Sequence, residues 1–338
     1  MRRFLAIAAV CLLSVLILLP GCGGGPPQES SGALKVGMVF DVGGKGDKSF
    51  NDSAYRGLLR AADDFGVEHT EFEPGQDADR ETGLRKLAQA GYDVIVGVGF
   101  LFSESIRAVA TDYPDVKFAC VDFDARPDEV LPANLAGLRF REEEGSFLVG
   151  AMAAMASETG RIGFVGGMDV PLIHRFEAGY IAGASHINPG ISVTVAYAGS
   201  SPQAFADPAR GKELALLQYG RGVDVIYHAA GSTGLGVIEA AREARRLAIG
   251  VDSNQNYVAP GTVLTSMVKR VDNAVYAVVQ SVHEGNFQGG VHEFGLAEDG
   301  VAYAVDDYNR ELISDAMVER VEEAKAGIIA GEISVPRE

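Results

Sequence analysis

The stretch "VGMVFDVGGKGDKSFNDSAYRGLL", residues 36–59, decides which fold class the chain belongs to. An apolar, β-branched run leads into a glycine-rich loop, and an amphipathic segment follows the loop. This order of strand, loop and helix is the repeating unit of a parallel sheet covered by helices. Because open parallel sheets bind ligands at the carboxyl ends of their strands, we expect this loop to face a ligand.

The loop lacks the pattern of a phosphate-binding loop. A Walker A loop has glycine directly before its Lys-Ser pair, but Asp47 precedes Lys48 and Val42 replaces the first glycine. The dinucleotide fingerprint fails because its third glycine falls on Ser49. The carboxylates of Asp41 and Asp47 would repel a phosphate, although they accept hydrogen bonds from hydroxyl and ring N–H groups. The expected ligand is therefore uncharged, such as a sugar or a nucleoside.

The first 33 residues read as a targeting segment and a tether. Residues 1–21 carry two arginines, an apolar run and the ending "LPG" before Cys22, which is typical of a secretory signal. The "LPGC" ending resembles a bacterial lipobox, in which the cysteine is acylated; a plain signal peptide or an N-terminal membrane anchor is the alternative. Residues 22–33 are rich in Gly, Pro and Ser and predict a flexible tether. We expect a protein anchored by lipid at Cys22 on the extracytoplasmic face of the cell membrane, periplasmic or outer.

Composition and length limit the classes of protein to which the chain can belong. The formal charge of −17 over 338 residues argues against a nucleic-acid partner, and the length favours two domains. Of three cysteines, only Cys120 lies in a predicted strand of the folded part, where we expect it to be buried. The histidines show no metal-binding spacing, and no nucleophile elbow is present. We expect no metal, no cofactor and no catalysis.

Strand and helix patterns alternate along the chain and repeat in two halves. The segments "GYDVIVGVG" (91–99) and "GVDVIYHAAG" (222–231) occupy equivalent places in the two halves. The predicted strands are 35–41, 68–74, 93–99, 116–122, 135–140, 161–167, 191–197, 223–230, 247–252 and 262–269. The predicted helices include 51–65, 79–90, 142–157, 172–186, 207–219 and 234–245. Two similar α/β lobes with a ligand between them are the expected result.

Several long blocks together resemble the basic membrane protein family of bacterial surface lipoproteins. They include "VFDVGGKGDKSFND" (39–52), "RIGFVGGMDVPLIHRFEAGYIAGA" (161–184) and "GVDVIYHAAGSTGLGVIEAA" (222–241), and the resemblance covers nearly all of residues 34–335. Well-understood members of this family resemble nucleoside-binding components of ABC importers. The resemblance implies a type I periplasmic-binding-protein fold, in which two doubly wound parallel-sheet lobes are joined by three crossing segments.

The resemblance also implies a division of the chain. The crossings are expected near 138–142, 253–261 and 289–296. Residues 34–140 plus 260–290 would form the first lobe, and residues 141–259 plus 291–338 the second.

The implied ligand is a purine nucleoside such as guanosine, inosine or adenosine. The residues expected to stack on its base are Phe50 and Phe205; those expected at the base or loop edge are Asp41, Asn51 and Asp122; those expected at the ribose are Gly231, Asp252 and Lys269.

Some alternatives stay open at this point. Asp124 competes with Asp122 for one acidic role, and extra residues before Phe205 could displace that ring. Asp41 and Asp252 are the type of residue that also caps a following element, and we interpret Asp47 as a helix N-cap.

The implied function is capture of the nucleoside and its delivery to the permease and ATPase subunits of an ABC transporter, by a monomer. A surface nucleoside hydrolase or phosphorylase, or a receptor module that senses a sugar or nucleoside, is the alternative.

Overall fold

A computed structural model describes residues 32–76 and 78–338 of the chain. The predicted signal segment and Cys22 lie outside the described residues, as does most of the predicted tether. Within the described ranges, no helix is both long enough and apolar enough to cross a membrane.

Two six-stranded sheets form the centres of two lobes. The first sheet is entirely parallel, with the order β11-β5-β4-β3-β1-β2. Its strands are β1 (Lys35–Val39), β2 (Glu68–Phe72), β3 (Val94–Val98), β4 (Lys117–Val121), β5 (Leu135–Phe140) and β11 (Gly290–Phe294). We call this sheet and its helices the first lobe.

The second sheet has the order β12-β10-β9-β8-β6-β7, and only the pairing of β10 with β12 is antiparallel. Its strands are β6 (Arg161–Met168), β7 (Ser192–Gly199), β8 (Val225–Ala229), β9 (Leu247–Asp252), β10 (Val263–Lys269) and β12 (Val301–Tyr303). This sheet and its helices are the second lobe.

Helices cover the sheets, as the strand pattern requires. They are α1 (Phe50–Phe65), α2 (Asp79–Gln89), α3 (Ser103–Asp112), α4 (Glu142–Ala156), α5 (Pro171–Ile187), α6 (Pro208–Gly220), α7 (Thr233–Ala244), α8 (Val271–His283) and α9 (Asp315–Ile329). Strands such as β3 and β8 are buried along their whole length, which is why their sequences are almost continuously apolar. Cys120 on β4 is buried, as predicted.

The two lobes repeat each other strand by strand. Strands β1 to β5 occupy the same places in the first sheet that β6 to β10 occupy in the second. The aspartates of the two "DVI" segments have equivalent roles, because Asp93 accepts a hydrogen bond from the backbone N–H of Lys35 (2.8 Å) and Asp224 accepts one from that of Thr159 (2.8 Å). Each carboxylate fixes the chain at or just before the first strand of its lobe.

Strand pairing corrects the predicted division of the chain. Strand β10 pairs with β9 and belongs to the second lobe, although 260–290 was expected in the first. Strand β11 pairs with β5 and belongs to the first lobe, although 291–338 was expected in the second. The middle crossing therefore lies between β10 and α8, not at 253–261. An apolar strand pattern does not specify which sheet the strand joins, and only the pairing partner decides this.

Helices α4 and α5 pack against each other through glycines. A Cβ atom added at Gly150 would collide with the carbonyl oxygen of Tyr180, and one at Gly183 with that of Phe147. Both glycines are needed because the two backbones approach more closely than any side chain allows. This contact helps to hold α4, the first element after the first crossing, on the second lobe.

We therefore expect Gly150→Ala to lower the free energy of unfolding by roughly 1–3 kcal/mol, since the added methyl group forces two packed helices apart. Urea denaturation followed by circular dichroism measures this loss. Gly220→Ala is the matched control, because nothing lies within 4 Å of the new Cβ at the end of α6. Equal effects of the two substitutions would contradict the proposed packing constraint.

Candidate functional site

A cavity lies between the lobes at the carboxyl ends of the strands. About 540 Å³ of space lies between its lining atoms when open solvent at its mouth is included. The structure brings all eight predicted ligand-binding residues to this one cavity: Asp41, Phe50, Asn51, Asp122, Phe205, Gly231, Asp252 and Lys269. That they bind a ligand remains a prediction.

The glycine-rich loop after β1 already uses its own backbone N–H groups. The Asp47 carboxylate accepts from the N–H groups of Ser49 (2.9 Å), Asn51 (2.8 Å) and Asp52 (3.1 Å), which agrees with a capping role. Asp52 in turn accepts from Gly46 (2.8 Å) and Lys48 (2.9 Å). Because carboxylates occupy these donors, the loop does not present them to a phosphate.

Asp41 and Asn51 are fixed to each other at the cavity wall. The Asn51 Oδ1 atom accepts from the backbone N–H of Asp41 (3.1 Å), and the Asp41 carboxylate accepts from that of Val42 (2.7 Å). The buried guanidinium of Arg80 lies 3.6 Å from Asp41 Oδ1. These contacts hold one polar edge of the cavity in place.

A buried ammonium lies among carboxylates at the other end of the cavity. Lys269 is 1% exposed, and its Nζ atom is 2.6 Å from Asp122 Oδ1 and 3.1 Å from Glu142 Oε1. Burial alone would lower the pKa of Lys269, but Asp122, Glu142 and Asp252 outweigh burial and raise it. The side chain is therefore a permanent cation in a largely dry site.

Asp122 and Asp252 are equivalent residues of the two lobes. Asp122 directly follows β4 and Asp252 ends β9, the corresponding strand of the second sheet. Both have left-handed backbone conformations, with φ of 57° and 62°, which are uncommon outside glycine. This strained geometry turns both carboxylates into the space between the sheets, and such strain is concentrated at functional sites.

Aromatic rings from both lobes form the apolar walls. Phe50 and Phe100 belong to the first lobe, while Phe176 and Phe205 belong to the second. Phe100 and Phe205 meet edge to face, with ring centroids 6.4 Å apart and an interplanar angle of 74°. The extra residues before Phe205 form a short 3₁₀ turn, Pro202–Phe205, and the ring stays in the cavity.

Hydrogen bonds join the two lobes beside the cavity. The Ser49 hydroxyl lies 2.6 Å from Asp252 Oδ2, and the Ser253 hydroxyl donates to the Ser49 carbonyl (2.7 Å). Gln255 donates to the carbonyl of Lys48 (3.2 Å). The start of α1 is thus held directly against the end of β9, so the described arrangement has the lobes in contact.

Asp122, and not Asp124, lines the cavity between the lobes. Asp122 is 8% exposed and lines the cavity, whereas Asp124 is exposed and lines only a neighbouring cavity. Among the described residues, no group of three or more His, Cys, Asp or Glu side chains is placed to hold a metal ion.

Sequence reasoning missed Glu142 and Phe176. Glu142 starts α4 directly after the first crossing, where acidic residues are common at helix N-termini and attract no notice. Phe176 resembles an ordinary core residue of α5. The only sequence signal was the run of three glutamates in "REEEG", residues 141–145.

Comparison with known proteins identifies the family. The family model described as "ABC transporter substrate-binding protein PnrA-like" matches residues 34–338. The chain belongs to this family. It is 34% identical to the "ABC transporter nucleoside-binding protein BmpA" of Lactococcus lactis, over 99% of both chains. It is 36% identical to "Basic membrane protein A" of Borreliella burgdorferi, over 98% of this chain and 95% of that one.

A solved ABC transporter solute-binding protein from Aeropyrum pernix K1 has the same architecture. Its TM-score is 0.81 at 34% identity, over 90% of this chain and 94% of that chain. The predicted family and the predicted two-lobe, type I periplasmic-binding-protein fold are therefore confirmed. PnrA-like proteins are solute-binding components of ABC systems and not a family of enzymes, so a small-molecule ligand and a transporter partner follow from membership.

The buried carboxyls of this PnrA-like protein predict how its stability depends on pH. Burial raises the pKa of Asp252 to about 7 and that of Asp122 to about 6. The folded protein therefore holds protons that the unfolded chain has lost. The stabilisation from these two groups is complete below about pH 4 and is lost as the pH rises through 6 to 7.

We expect Asp252→Asn to reduce this loss between pH 5 and 8 by more than about 1 kcal/mol, because the amide needs no proton. Urea denaturation of the ligand-free protein at both pH values measures the difference. Asp63→Asn, which changes an exposed carboxylate of α1, should leave the pH profile unchanged. Parallel profiles for wild type and Asp252→Asn would show that Asp252 is not a buried acid.

Proposed function

We propose that this chain is a lipid-anchored, extracytoplasmic binding protein that captures a purine nucleoside between its lobes and delivers it to an ABC permease. The observation that carries the proposal is one cavity in which aromatic rings from opposite lobes accompany carboxylates and one buried ammonium. A nucleoside has the matching parts: a flat apolar base with polar edges, and a sugar with several hydroxyl groups.

The rings support a base as the flat part of the ligand. Phe50 extends from the first turn of α1, and Phe205 ends the 3₁₀ turn of the second lobe. Rings that come from different lobes can hold a base only when the lobes are together. Stacking therefore links recognition of the base to closure, while Asp41 and Asn51 would lie at its polar edge.

The charges support an uncharged ligand. Asp41, Asp122 and Asp252 line the cavity, and the amides of the loop after β1 are occupied by Asp47 and Asp52. A 5′-phosphate would meet these carboxylates, while the N–H groups of Gly46, Lys48, Ser49, Asn51 and Asp52 are already bonded to carboxylates and cannot offset the repulsion. Ribose hydroxyls can donate to Asp252 and accept from Lys269, and Gly231 leaves room for the sugar.

Closure then produces the signal for transport. When the lobes meet, water leaves the cavity, and hydrogen bonds to the ligand act in a drier environment. The contacts of Ser49 with Asp252 and of Ser253 with Ser49 join the two lobes, so separation of the lobes would break them. A permease that recognises the closed pair of lobes receives only loaded protein. In this proposal acylated Cys22 attaches the protein to the membrane, and residues 22–33 form the flexible tether between the membrane and the lobes.

A calorimetric titration tests the proposal. Purine and pyrimidine nucleosides, free bases, ribose and nucleoside monophosphates are titrated into the soluble domain from residue 30 onward, and products are followed by chromatography. We expect one-to-one binding of purine nucleosides without turnover. Phe50→Ala, Phe205→Ala and Asp252→Ala should each weaken binding by about tenfold to a hundredfold, since each removes a principal contact.

Phe287→Ala is the matched control, because this partly exposed ring packs against Lys117 and does not line the cavity. It should not change the affinity. Preferential binding of free ribose, or release of base from nucleoside, would overturn the proposal in favour of a sugar receptor or an enzyme.

A further inference from the structure

Three consecutive glutamates begin α4, directly after the chain crosses from the first lobe to the second. Glu142, Glu143 and Glu144 are only 0%, 3% and 9% exposed. Each has a different partner: Glu142 contacts Lys269, Glu143 contacts Arg337 (2.7 Å), and Glu144 contacts Arg141 (3.1 Å). Of the three partners, only Lys269, the partner of Glu142, lines the candidate binding site.

Glu142 acts on that site through the ammonium group. Its Oε1 atom is 3.1 Å from Lys269 Nζ, and its Oε2 atom is 3.6 Å from an Arg175 guanidinium nitrogen. Glu142 does not line the main cavity; it lines a neighbouring cavity of about 690 Å³, solvent at its mouth again included, which shares Phe100, Asp122 and Leu172 with the main one. A ligand in the main cavity would therefore contact Lys269 and not Glu142.

The partners of Lys269 come from both lobes. Lys269 ends β10 and Glu142 begins α4, so this pair lies entirely within the second lobe. Asp122 follows β4 of the first lobe, so its 2.6 Å contact with Lys269 spans the cleft. When the lobes separate, the contact with Asp122 is lost and the contact with Glu142 is kept.

A buried ammonium without an anionic partner is strongly unfavourable. With Asp122 withdrawn, Glu142 is, among the residues that the structure describes, the carboxylate that remains within 4 Å of the Lys269 Nζ atom, while Asp252 of the same lobe acts from farther away. Glu142 therefore keeps Lys269 oriented toward the cavity. Glu142 also adds a negative charge behind the site. Three carboxylates then surround the Lys269 ammonium, those of Asp122, Glu142 and Asp252. The Arg175 guanidinium, next to Glu142, is the second cation of this group.

We propose that Glu142 is the positioning residue of the binding site: it holds the Lys269 ammonium on the second lobe in the open and closed forms, and its charge disfavours anionic ligands. The part that concerns ligands rests on the proposed nucleoside function. The part that concerns Lys269 does not depend on it.

The first test needs no ligand. Full-length wild type, Glu142→Gln, Glu142→Asp and Glu144→Gln are treated briefly with acetic anhydride, and acetylation of Lys269 is quantified by mass spectrometry. We expect Glu142→Gln to raise the acetylation rate about tenfold, because the ammonium loses its partner within the lobe. Glu142→Asp, which restores the charge, should return the rate most of the way to wild type.

Glu144→Gln is the matched control, since it neutralises a buried glutamate of the same helix turn that contacts Arg141 and the N–H of Leu296. It should leave Lys269 protected. Equal acetylation of Lys269 in Glu142→Gln and Glu144→Gln would overturn the proposal. If Glu142→Gln fails to fold by circular dichroism, Glu142→Asp decides instead: a Lys269 acetylation rate close to that of wild type supports the charge contact, and a tenfold higher rate contradicts it.

The second test measures selectivity by calorimetry with inosine and inosine 5′-monophosphate. Glu142→Gln should weaken inosine binding and reduce the preference for inosine over its monophosphate by about tenfold, because one repelling charge is removed. Glu144→Gln should keep the wild-type preference. An unchanged preference in Glu142→Gln would overturn the role in selectivity. Failure of wild type to bind any nucleoside would instead refute the proposed function, and the acetylation result would still decide the contact between Glu142 and Lys269.

Discussion

The arrangement of the site depends on the burial of one ammonium among carboxylates from two lobes. Lys269 is 1% exposed, and a charge removed from water to this extent is tolerated only with close anionic partners. Asp122 comes from the first lobe and Glu142 from the second. The contacts that stabilise the buried cation therefore also help to bring the lobes together. The electrostatics of the site and the closure of the lobes depend on the same ion pairs.

The internal repeat explains why the site has carboxylates on both sides. Equivalent strands β4 and β9 lead to Asp122 and Asp252, which share the left-handed conformation. The repeat also shows where the symmetry ends. Strand β5 ends at Phe140, while its counterpart β10 ends at Lys269, and each is followed by an arginine and then by a helix. The Lys269 ammonium lies 5.0 Å from the centroid of the Phe140 ring, so two equivalent positions meet and differ in charge.

Much of the fold was predictable from the sequence because the parallel sheets are buried on both faces. All ten predicted strands are present, and most of them are short, nearly continuous apolar runs. Strand β2, with the sequence EHTEF at the sheet edge, is the exception. Strands β11 and β12 were not predicted: β11 alternates between partly buried and exposed residues at a sheet edge, and β12 has three residues. The assignment of β10 to the wrong lobe has a related cause. Periodicity reports which face is buried and carries no information about which sheet a strand joins.

The site was predictable to the extent that its residues end strands or begin helices. Asp41, Asp122, Asp252 and Lys269 all lie at or next to strand ends, where an open parallel sheet places its ligands. Glu142 has no such signature, because its role depends on a contact with residue 269, which is far away along the chain and meets it only where two crossings lie side by side.

Internal carboxylates explain why a loop that resembles a phosphate-binding loop has a different role here. A glycine-rich loop at a helix N-terminus offers several N–H donors, and an anion is the usual acceptor. In this chain Asp47 and Asp52 supply the anions internally. Their carboxylates hold the loop in place and already accept hydrogen bonds from its N–H groups before any ligand arrives. The Ser49 side chain is then available to contact Asp252 of the other lobe. Internal carboxylates thus occupy the place of a bound phosphate, and the loop becomes a rim of the cavity that joins the two lobes.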